Sequence, residues 1–168
     1  MFIDETGLNT KLARLYGRSQ RGQRCLSAVP QGHWQTSTFI AALRQEQIEA
    51  PFLVEGPVDA EIFLVYLQQV LAPCLRPGDM LILDNLATHK VQGIGHILSD
   101  RGVSLRYLPP YSPDLNPIEQ AFAKLKAHLR QAAARTLDGL QSAVASSLDT
   151  FSTSDCKAFF RHAQYASI

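Results

Sequence analysis

The spacing of apolar and polar residues is strand-like in the first third of the chain. Residues 2–4 have the pattern of a strand end, directly before the acidic pair Asp4 and Glu5. Residues 25–30 and 36–43 predict two further strands, joined by a turn around residues 31–33. Residues 51–54 predict a short additional piece of strand. The chain is therefore expected to begin with antiparallel β-structure.

The spacing becomes helical after Asp59, which can cap a helix that runs to about Ala72. Residues 80–83 form a short apolar run bounded by acids, which is typical of a buried strand. A short helix is expected next, closed by Gly102, and residues 103–108 predict another strand, which Pro109 and Pro110 end. The apolar positions of that short helix are Val91, Ile94, Ile97 and Leu98.

Three more helices are predicted in the last third of the chain. They begin near Pro117, at residues 137–148 and at residues 154–163. A run of strands followed by alternating helices and strands predicts an α/β fold with a mixed sheet and helices on its faces. The later strands should be parallel, because a helix joins each to the next. No repeat or linker interrupts residues 1–168, so one domain is expected.

Composition excludes several classes of protein. The apolar fraction is 46%, and no apolar run approaches the roughly 18 residues that span a bilayer. The first residues have no secretory signal pattern, so a cytoplasmic protein is expected. The three cysteines are far apart, which argues against a disulfide framework or a cysteine-based zinc site.

Charge is distributed unevenly, although the net charge is only +1. No acidic residue occurs between Thr6 and Gln45. Such a stretch suits a polyanion, but a solvated loop rich in arginine would have the same composition. Its basic residues are Lys11, Arg14, Arg18, Arg21, Arg24 and Arg44.

Two aspartates follow predicted buried strands. Asp4 comes after Phe2 and Ile3, and Asp84 ends the 80–83 run. In open α/β sheets, ligand sites gather at the carboxyl ends of strands. Carboxylates that are brought together raise one another's pKa unless a cation neutralises them, and Mg²⁺ accepts carboxylate oxygens. The pattern therefore predicts a divalent-metal site.

Glu119 is a third candidate ligand, with a structural alternative. Asn116 can cap a helix that starts at Pro117, and Glu119 then occupies the third helical position. This is a capping-box spacing, in which Glu119 simply bonds back to the backbone of Asn116. Lys126 and Arg130 fall on the same helix flank as Glu119, where they could follow a phosphate backbone or form an ordinary solvated face.

Three motifs resemble the DDE transposases, most closely the mariner-like bacterial insertion-sequence group. They are F-I-D-E-T-G from residue 2, L-I-L-D-N-L-A-T-H-K from residue 81 and L-P-P-Y-S-P-D-L-N-P-I-E-Q-A-F-A-K-L-K from residue 108. Thirty-four residues separate Asp84 from Glu119, the spacing typical of that group. The resemblance implies a ribonuclease H-like fold with a five-stranded sheet, three antiparallel strands followed by two parallel ones, and helices on both faces.

The resemblance also implies a two-metal mechanism with Mg²⁺, for which Mn²⁺ could substitute. Asp4 would be shared between the two ions, and Asp84 and Glu119 would each complete one site. The implied reactions are DNA strand cleavage and strand transfer at the ends of the element. The candidates for supporting these ligands are Glu5, Asn85, His89 and Asn116, although His89 could instead be an ordinary residue at a helix start.

The implied partners are the terminal inverted repeats and a target DNA, bound by a homodimer. Arg18, Arg21, Arg24, Lys126 and Arg130 are the expected DNA-binding residues. Members of the group carry an N-terminal helix-turn-helix region, for which we expect a separate upstream polypeptide. Two alternatives stay open: an inactive truncated remnant that only binds DNA or assists assembly, and a ribonuclease H-like nuclease that acts on another nucleic acid.

Overall fold

A five-stranded mixed sheet forms the centre of the molecule. The computed structural model describes residues 1–14, 16–86, 89–90 and 93–165. The strand order is β3-β2-β1-β4-β5. The first three strands are antiparallel, and β4 and β5 run parallel to β1. The strands are β1 (Phe2–Asn9), β2 (Thr36–Leu43), β3 (Ile48–Glu55), β4 (Met80–Leu83) and β5 (Ser104–Tyr107).

Helices connect and cover these strands. The Asp59 side chain caps α1 by accepting from the backbone N–H of Ile62 at 2.9 Å. Helix α1 continues into a π-helical segment, Tyr66–Leu71, and a 3-10 turn, Ala72–Cys74. A second 3-10 turn, Pro113–Leu115, precedes α3. The α-helices are α1 (Ala60–Val65), α2 (Ile94–Ser99), α3 (Pro117–Ala132), α4 (Leu137–Leu148) and α5 (Thr153–His162).

The sheet separates two hydrophobic cores, because side chains alternate between the faces of a strand. Phe2 and Leu8 of β1 lie in the core that includes α3, α4 and α5. Ile3 lies in the opposite core, with α1, the π-helical segment and α2. Helices therefore cover both faces, which confirms the predicted mixed α/β sheet.

The prediction of a strand at residues 25–30 is wrong. These residues form neither strand nor helix, and their apolar side chains face solvent: Leu26 is 87% exposed and Val29 60%. Strand-like residues alone do not make a strand when no neighbouring strand pairs with them. The third antiparallel strand is β3, of which only residues 51–54 were predicted.

Strand β1 is longer than predicted. It continues past Asp4 to Asn9 because β2 pairs with it over its whole length, from Phe2 with Leu43 to Asn9 with Thr36. Asp4 therefore lies within a central strand and not at the strand end. The helix predicted from Asp59 to Ala72 is also only partly α-helical, since its second half is the π-helical segment.

The C-terminal helices match the sequence closely. Helix α4 has the predicted bounds, and α5 is shifted by one residue at each end. Phe160 and Tyr165 pack edge-on against Phe2, with ring centroids 5.5 and 4.9 Å away; Phe160 is buried, and Tyr165 is partly buried against the same core. Val91, predicted in the helix that becomes α2, lies outside the described residues. Across the described ranges, no helix has the length and apolar character needed to cross a membrane.

Candidate active site

The sheet register brings Asp4 and Asp84 to the same level. Strands β1 and β4 are parallel neighbours, and Phe2 is aligned with Ile82. Asp4 and Asp84 each lie two residues after this aligned pair. Asp4 shares the face of Phe2, which α3 covers, so the acidic positions open toward the start of α3.

One cavity of about 330 Å³ contains all three predicted acids. Its walls come from the end of β4, the segment that follows β5 and the start of α3. The site is therefore built from parts of the chain that are distant in sequence. The lining residues are Asp4, Asp84, Asn85, Leu86, Leu108, Pro109, Pro110, Tyr111, Ser112, Pro113, Asn116 and Glu119.

Asp4 is the buried acid of the cavity, with 6% of its surface exposed. Its Oδ1 accepts the backbone N–H of Glu5 at 2.7 Å, and its Oδ2 accepts the Asn116 amide at 2.7 Å. Burial raises the pKa of Asp4 to about 7, and the negative charges of Glu119 and Asp84 contribute to that rise. The ionised form of Asp4 is thus unfavourable unless a cation is bound beside it.

Asn116 connects Asp4 to the start of the helix that carries Glu119. It precedes α3, but its side chain makes no capping bond to that helix. Its Nδ2 instead donates to Asp4, and the residue is 4% exposed. The start of the helix that carries Glu119 is therefore tied directly to β1.

The capping-box alternative for Glu119 is wrong. No side chain caps the N-terminus of α3, because the Asn116 side chain is engaged with Asp4. Glu119 lies in the first helical turn, is exposed and lines the cavity. Its carboxylate is near enough to raise the pKa of Asp4.

His89 links Asp84 to Glu5. Its Nδ1 lies 2.5 Å from Asp84 Oδ1, and its Nε2 lies 3.3 Å from Glu5 Oε2. Burial of the ring disfavours its charged form, yet the two carboxylates raise the pKa of His89 above the ordinary value. Both nitrogens can donate only when the ring is protonated, so the geometry suits an imidazolium between two carboxylates.

Two aromatic residues hold His89 in place. The Phe63 ring packs at 4.6 Å between centroids, and the Tyr107 hydroxyl donates to the His89 carbonyl oxygen at 2.9 Å. His89 is completely buried. A buried ring held on several sides fixes the orientation of the Asp84 carboxylate.

The carboxylates of Asp4, Asp84 and Glu119 suit divalent cations that each take only a few ligands from the protein. Across the described ranges, no three His, Cys, Asp or Glu side chains form a ready cluster around one point. Mg²⁺ commonly takes one or two carboxylates and completes its shell with water and phosphate oxygens. Two observations favour such a cation: the raised pKa of Asp4, and the buried Asn116 Oδ1, which accepts no hydrogen bond from the described residues.

The predicted DNA-binding residues lie outside the cavity. Arg18, Arg21 and Arg24 are exposed in the segment between β1 and β2, which has no regular structure over residues 16–35. Lys126 and Arg130 are partly exposed on α3. Arg44 does not contribute to this exposed positive charge, because it is 11% exposed and ion-paired with Glu49 and Asp79 at 2.7 and 2.6 Å.

Sequence reasoning missed the role of two residues near the site. Tyr107 was treated only as part of a strand, although its hydroxyl supports His89. Tyr111 was only part of a motif, although it lines the cavity and is fully exposed. The exposure of Tyr111 has no signal in the apolar pattern, whereas the flanking prolines do indicate a rigid segment.

Solved transposase structures share this fold. The Mos1 transposase paired-end complex with the left transposon end has a TM-score of 0.74 at 16% identity, over 95% of this chain and 50% of that chain. The mariner Mos1 paired-end complex with Mg has 0.62 at 18% identity, over 97% and 53%. The Mos1 mariner transposase catalytic domain has 0.63 at 12% identity, over 98% and 78%. This chain therefore spans about half the length of the chains in the paired-end complexes.

Sequence comparison identifies the family. No curated protein matches the chain. The family model described as DDE superfamily endonuclease matches residues 1–141. The structural likeness confirms the ribonuclease H-like fold that the motifs implied. The chain belongs to the DDE superfamily endonucleases, and its fold is that of a DDE transposase catalytic domain.

Proposed function

We propose that this chain is the catalytic part of an insertion-sequence transposase, which cleaves DNA strands and transfers them at the ends of the element. The observation that carries the proposal is the single cavity shared by Asp4, Asp84 and Glu119. Membership of the DDE superfamily endonucleases supports a nuclease or transposase activity. Three acids in one cavity repel one another and a DNA phosphate, so the proposal includes divalent ions.

In this proposal, Asp4 is shared between two Mg²⁺ ions, and Asp84 and Glu119 each complete one site. When bound, such ions activate the attacking oxygen and stabilise the leaving oxygen of the phosphodiester. Asp4 suits the shared position because it is the buried acid, and both other acids influence its pKa. Mn²⁺ offers the same oxygen-binding chemistry and is the practical substitute.

His89, Glu5 and Asn116 are positioning residues in this account. His89 contacts Asp84 Oδ1, which would leave the other oxygen of that carboxylate available to hold an ion. Asn116 donates to Asp4 Oδ2, while the Glu5 backbone N–H donates to Asp4 Oδ1, so the Asp4 carboxylate is held at both oxygens. Replacement of residues that orient metal ligands costs about 10- to 100-fold in metal affinity or activity. Asn85 lines the cavity and could contact bound water or DNA.

The proposed substrates are the terminal inverted repeats and a target DNA. Arg18, Arg21 and Arg24 supply positive charge in the exposed segment between β1 and β2, and Lys126 and Arg130 supply it along α3. The similar Mos1 transposase structure is a paired-end complex with a transposon end, which supports a homodimer on DNA here. The proposed place of action is the cytoplasm.

Cleavage of labelled terminal-repeat DNA tests this proposal. The chain is combined with a polypeptide that recognises the terminal repeats and with Mg²⁺ or Mn²⁺. The expected result is a cut that Asp4→Asn, Asp84→Asn and Glu119→Gln each remove. His89→Ala should retain a weakened cut, reduced about 10- to 100-fold.

Asp114→Asn is the matched control for these variants. Asp114 is an exposed acid in the same segment of the chain, but it does not line the cavity. This variant should cut like the unaltered chain. A cut that survives Asp84→Asn would contradict the proposed site. No metal-dependent cut by any variant would favour an inactive DNA-binding module, and preferred cleavage of an RNA–DNA hybrid would favour a ribonuclease.

A further inference from the structure

Tyr111 is the most exposed large side chain on the rim of the cavity. Its relative exposure of 102% exceeds that of every other large hydrophobic residue in the described part of the chain. Within the same part, its hydroxyl has no hydrogen-bond partner and its ring pairs with no other aromatic ring. Neither burial nor local bonding therefore accounts for an aromatic side chain at this position.

The backbone of Tyr111 is held in an unfavourable conformation. Its φ of 54° lies in the left-handed region, which residues with a side chain usually avoid. Pro110 and Pro113 restrict the chain on both sides. Just before them, the backbone N–H of Leu108 donates to the Leu83 carbonyl at 2.8 Å, which ties the segment to β4. Strained residues of this kind concentrate at functional sites.

The surroundings of Tyr111 favour one class of ligand. The ring shares the cavity with Asp4, Asp84 and Glu119, so it stands where negative charge dominates. A phosphate is attracted to this place only through a cation, whereas a neutral aromatic face attracts the flat face of a base. Every nucleobase has such a face, so stacking places few demands on sequence.

We propose that Tyr111 is a stacking platform for an unpaired nucleobase next to the cleaved phosphodiester. The inference rests on the proposed function, because the DNA strand that enters the cavity brings the base to the ring. The base must have left its own stack, as at a DNA end, a nick or a fork, because a base inside a duplex has both faces covered by its stacked neighbours. Tyr111 then fixes the position of the strand relative to the three acids.

Forked DNA of mixed sequence, with 2-aminopurine as the first unpaired base, tests this contact. Stacking on an aromatic ring quenches the fluorescence of that base. Ca²⁺ is included in the experiment as a divalent ion that takes oxygen ligands. The full chain and Tyr111→Phe should quench it. Tyr111→Ala should lose the quenching and bind the fork about 5- to 150-fold more weakly.

Tyr16→Ala is the matched control. Tyr16 is also a highly exposed tyrosine, at 92%, but it does not line the cavity. This variant should quench like the unaltered chain. Thermal unfolding of Tyr111→Ala should be unchanged, because its ring is not packed in the fold.

Equal quenching by the unaltered chain and Tyr111→Ala would overturn the inference. Altered self-association of Tyr111→Ala in sedimentation, with unchanged quenching, would also overturn it and assign the ring to a protein contact. If cleavage depends on Asp84 but Tyr111→Ala quenches like the unaltered chain, the stacking inference is contradicted and the proposed function is not. Absence of cleavage by the unaltered chain would contradict the proposed function, while the quenching still decides whether Tyr111 binds a base.

Discussion

At the scale of single residues, Asp4 is the position where folding and function conflict most. It is a buried carboxyl in the central strand, and two further acids raise its pKa. Two hydrogen bonds reach it, from the Glu5 backbone and the Asn116 side chain. These bonds reduce the cost of burying the charge but do not remove it, which is why a cation should stabilise the fold.

The stability of the metal-free chain should depend on the titration of Asp4. Its pKa is about 7 in the folded chain and has the ordinary value of 3.8 in the unfolded chain. Between those values the folded state holds the proton and the unfolded state does not, so the free energy of unfolding falls as pH rises. Thermal unfolding in chelator should therefore show a Tm that decreases from about pH 4 to pH 7.

Asp4→Asn isolates this effect from other titrating groups, His89 included. The variant should lose part of the decrease in Tm over the same range. Identical pH profiles for the two proteins would show that Asp4 titrates normally, and its burial would then have to be explained differently.

The hydrogen bond from Asn116 to Asp4 should contribute measurably to stability. Asn116→Ala removes a buried donor to an acidic acceptor, a change that costs about 1.5–3 kcal/mol. Asn85→Ala is the control, since Asn85 lines the same cavity but its side chain makes no hydrogen bond within the described residues. Urea unfolding measures both variants, and equal losses would contradict the assigned contact.

At the scale of secondary structure elements, the site depends on how β1, β4 and α3 meet. Strand register places two acids side by side, and Asn116 connects the start of α3 to β1. The opposite end of the sheet has its own connection. Arg44, after β2, pairs with Glu49 of β3 and with Asp79, just before β4.

Arg44 should be important for holding the sheet together. Its guanidinium is 11% exposed and lowers the pKa of Asp79 to about 2. Arg44→Met should reduce the free energy of unfolding by about 3–5 kcal/mol, because two carboxylates lose a buried partner. Arg76→Met should change it by less than about 1 kcal/mol, because Arg76 is 68% exposed and lies 3.6 Å from Glu49. Equal losses in chemical denaturation would argue against this difference.

At the scale of the whole molecule, the exposed positive charge and the three acids of the cavity occupy different regions. The exposed segment between β1 and β2 carries Arg18, Arg21 and Arg24, while the cavity carries the acids. In the proposed function, the basic region would attract the DNA backbone, and the acids would hold the divalent ions that bind the phosphate to be cleaved. Salt dependence distinguishes that role from an ordinary solvated loop.

Replacement of Arg18, Arg21 and Arg24 by alanine should weaken DNA binding and flatten its salt dependence. If each arginine neutralises one phosphate, the negative slope of log K against log salt should become less steep by about 3. The charge-matched control replaces Arg101, Lys157 and Arg161, which are exposed elsewhere. Fluorescence anisotropy at several salt concentrations measures both slopes, and an unchanged slope in the first variant would remove these residues from the DNA interface.

Local motifs predicted part of this architecture, and long-range pairing decided the rest. Asp84 and Glu119 lie in motifs whose neighbours define a strand end and a helix start. Residues 25–30 contain strand-forming residues, but no strand pairs with them, and that could not be read locally. Asn116 has the local signature of a cap, yet its side chain bonds to Asp4, which lies 112 residues away in the chain.

Calorimetric titration of the chain with Mn²⁺ measures whether Asp4, Asp84 and Glu119 form a metal site. We expect Mn²⁺ binding that Asp4→Asn and Asp84→Asn each weaken strongly, while Asp114→Asn binds Mn²⁺ like the unaltered chain. We also expect Mn²⁺ to raise the Tm most at a pH above about 7, where Asp4 is otherwise unfavourably charged. Mn²⁺ binding that is absent, or that is the same in Asp84→Asn, would contradict a metal site built from these three carboxylates.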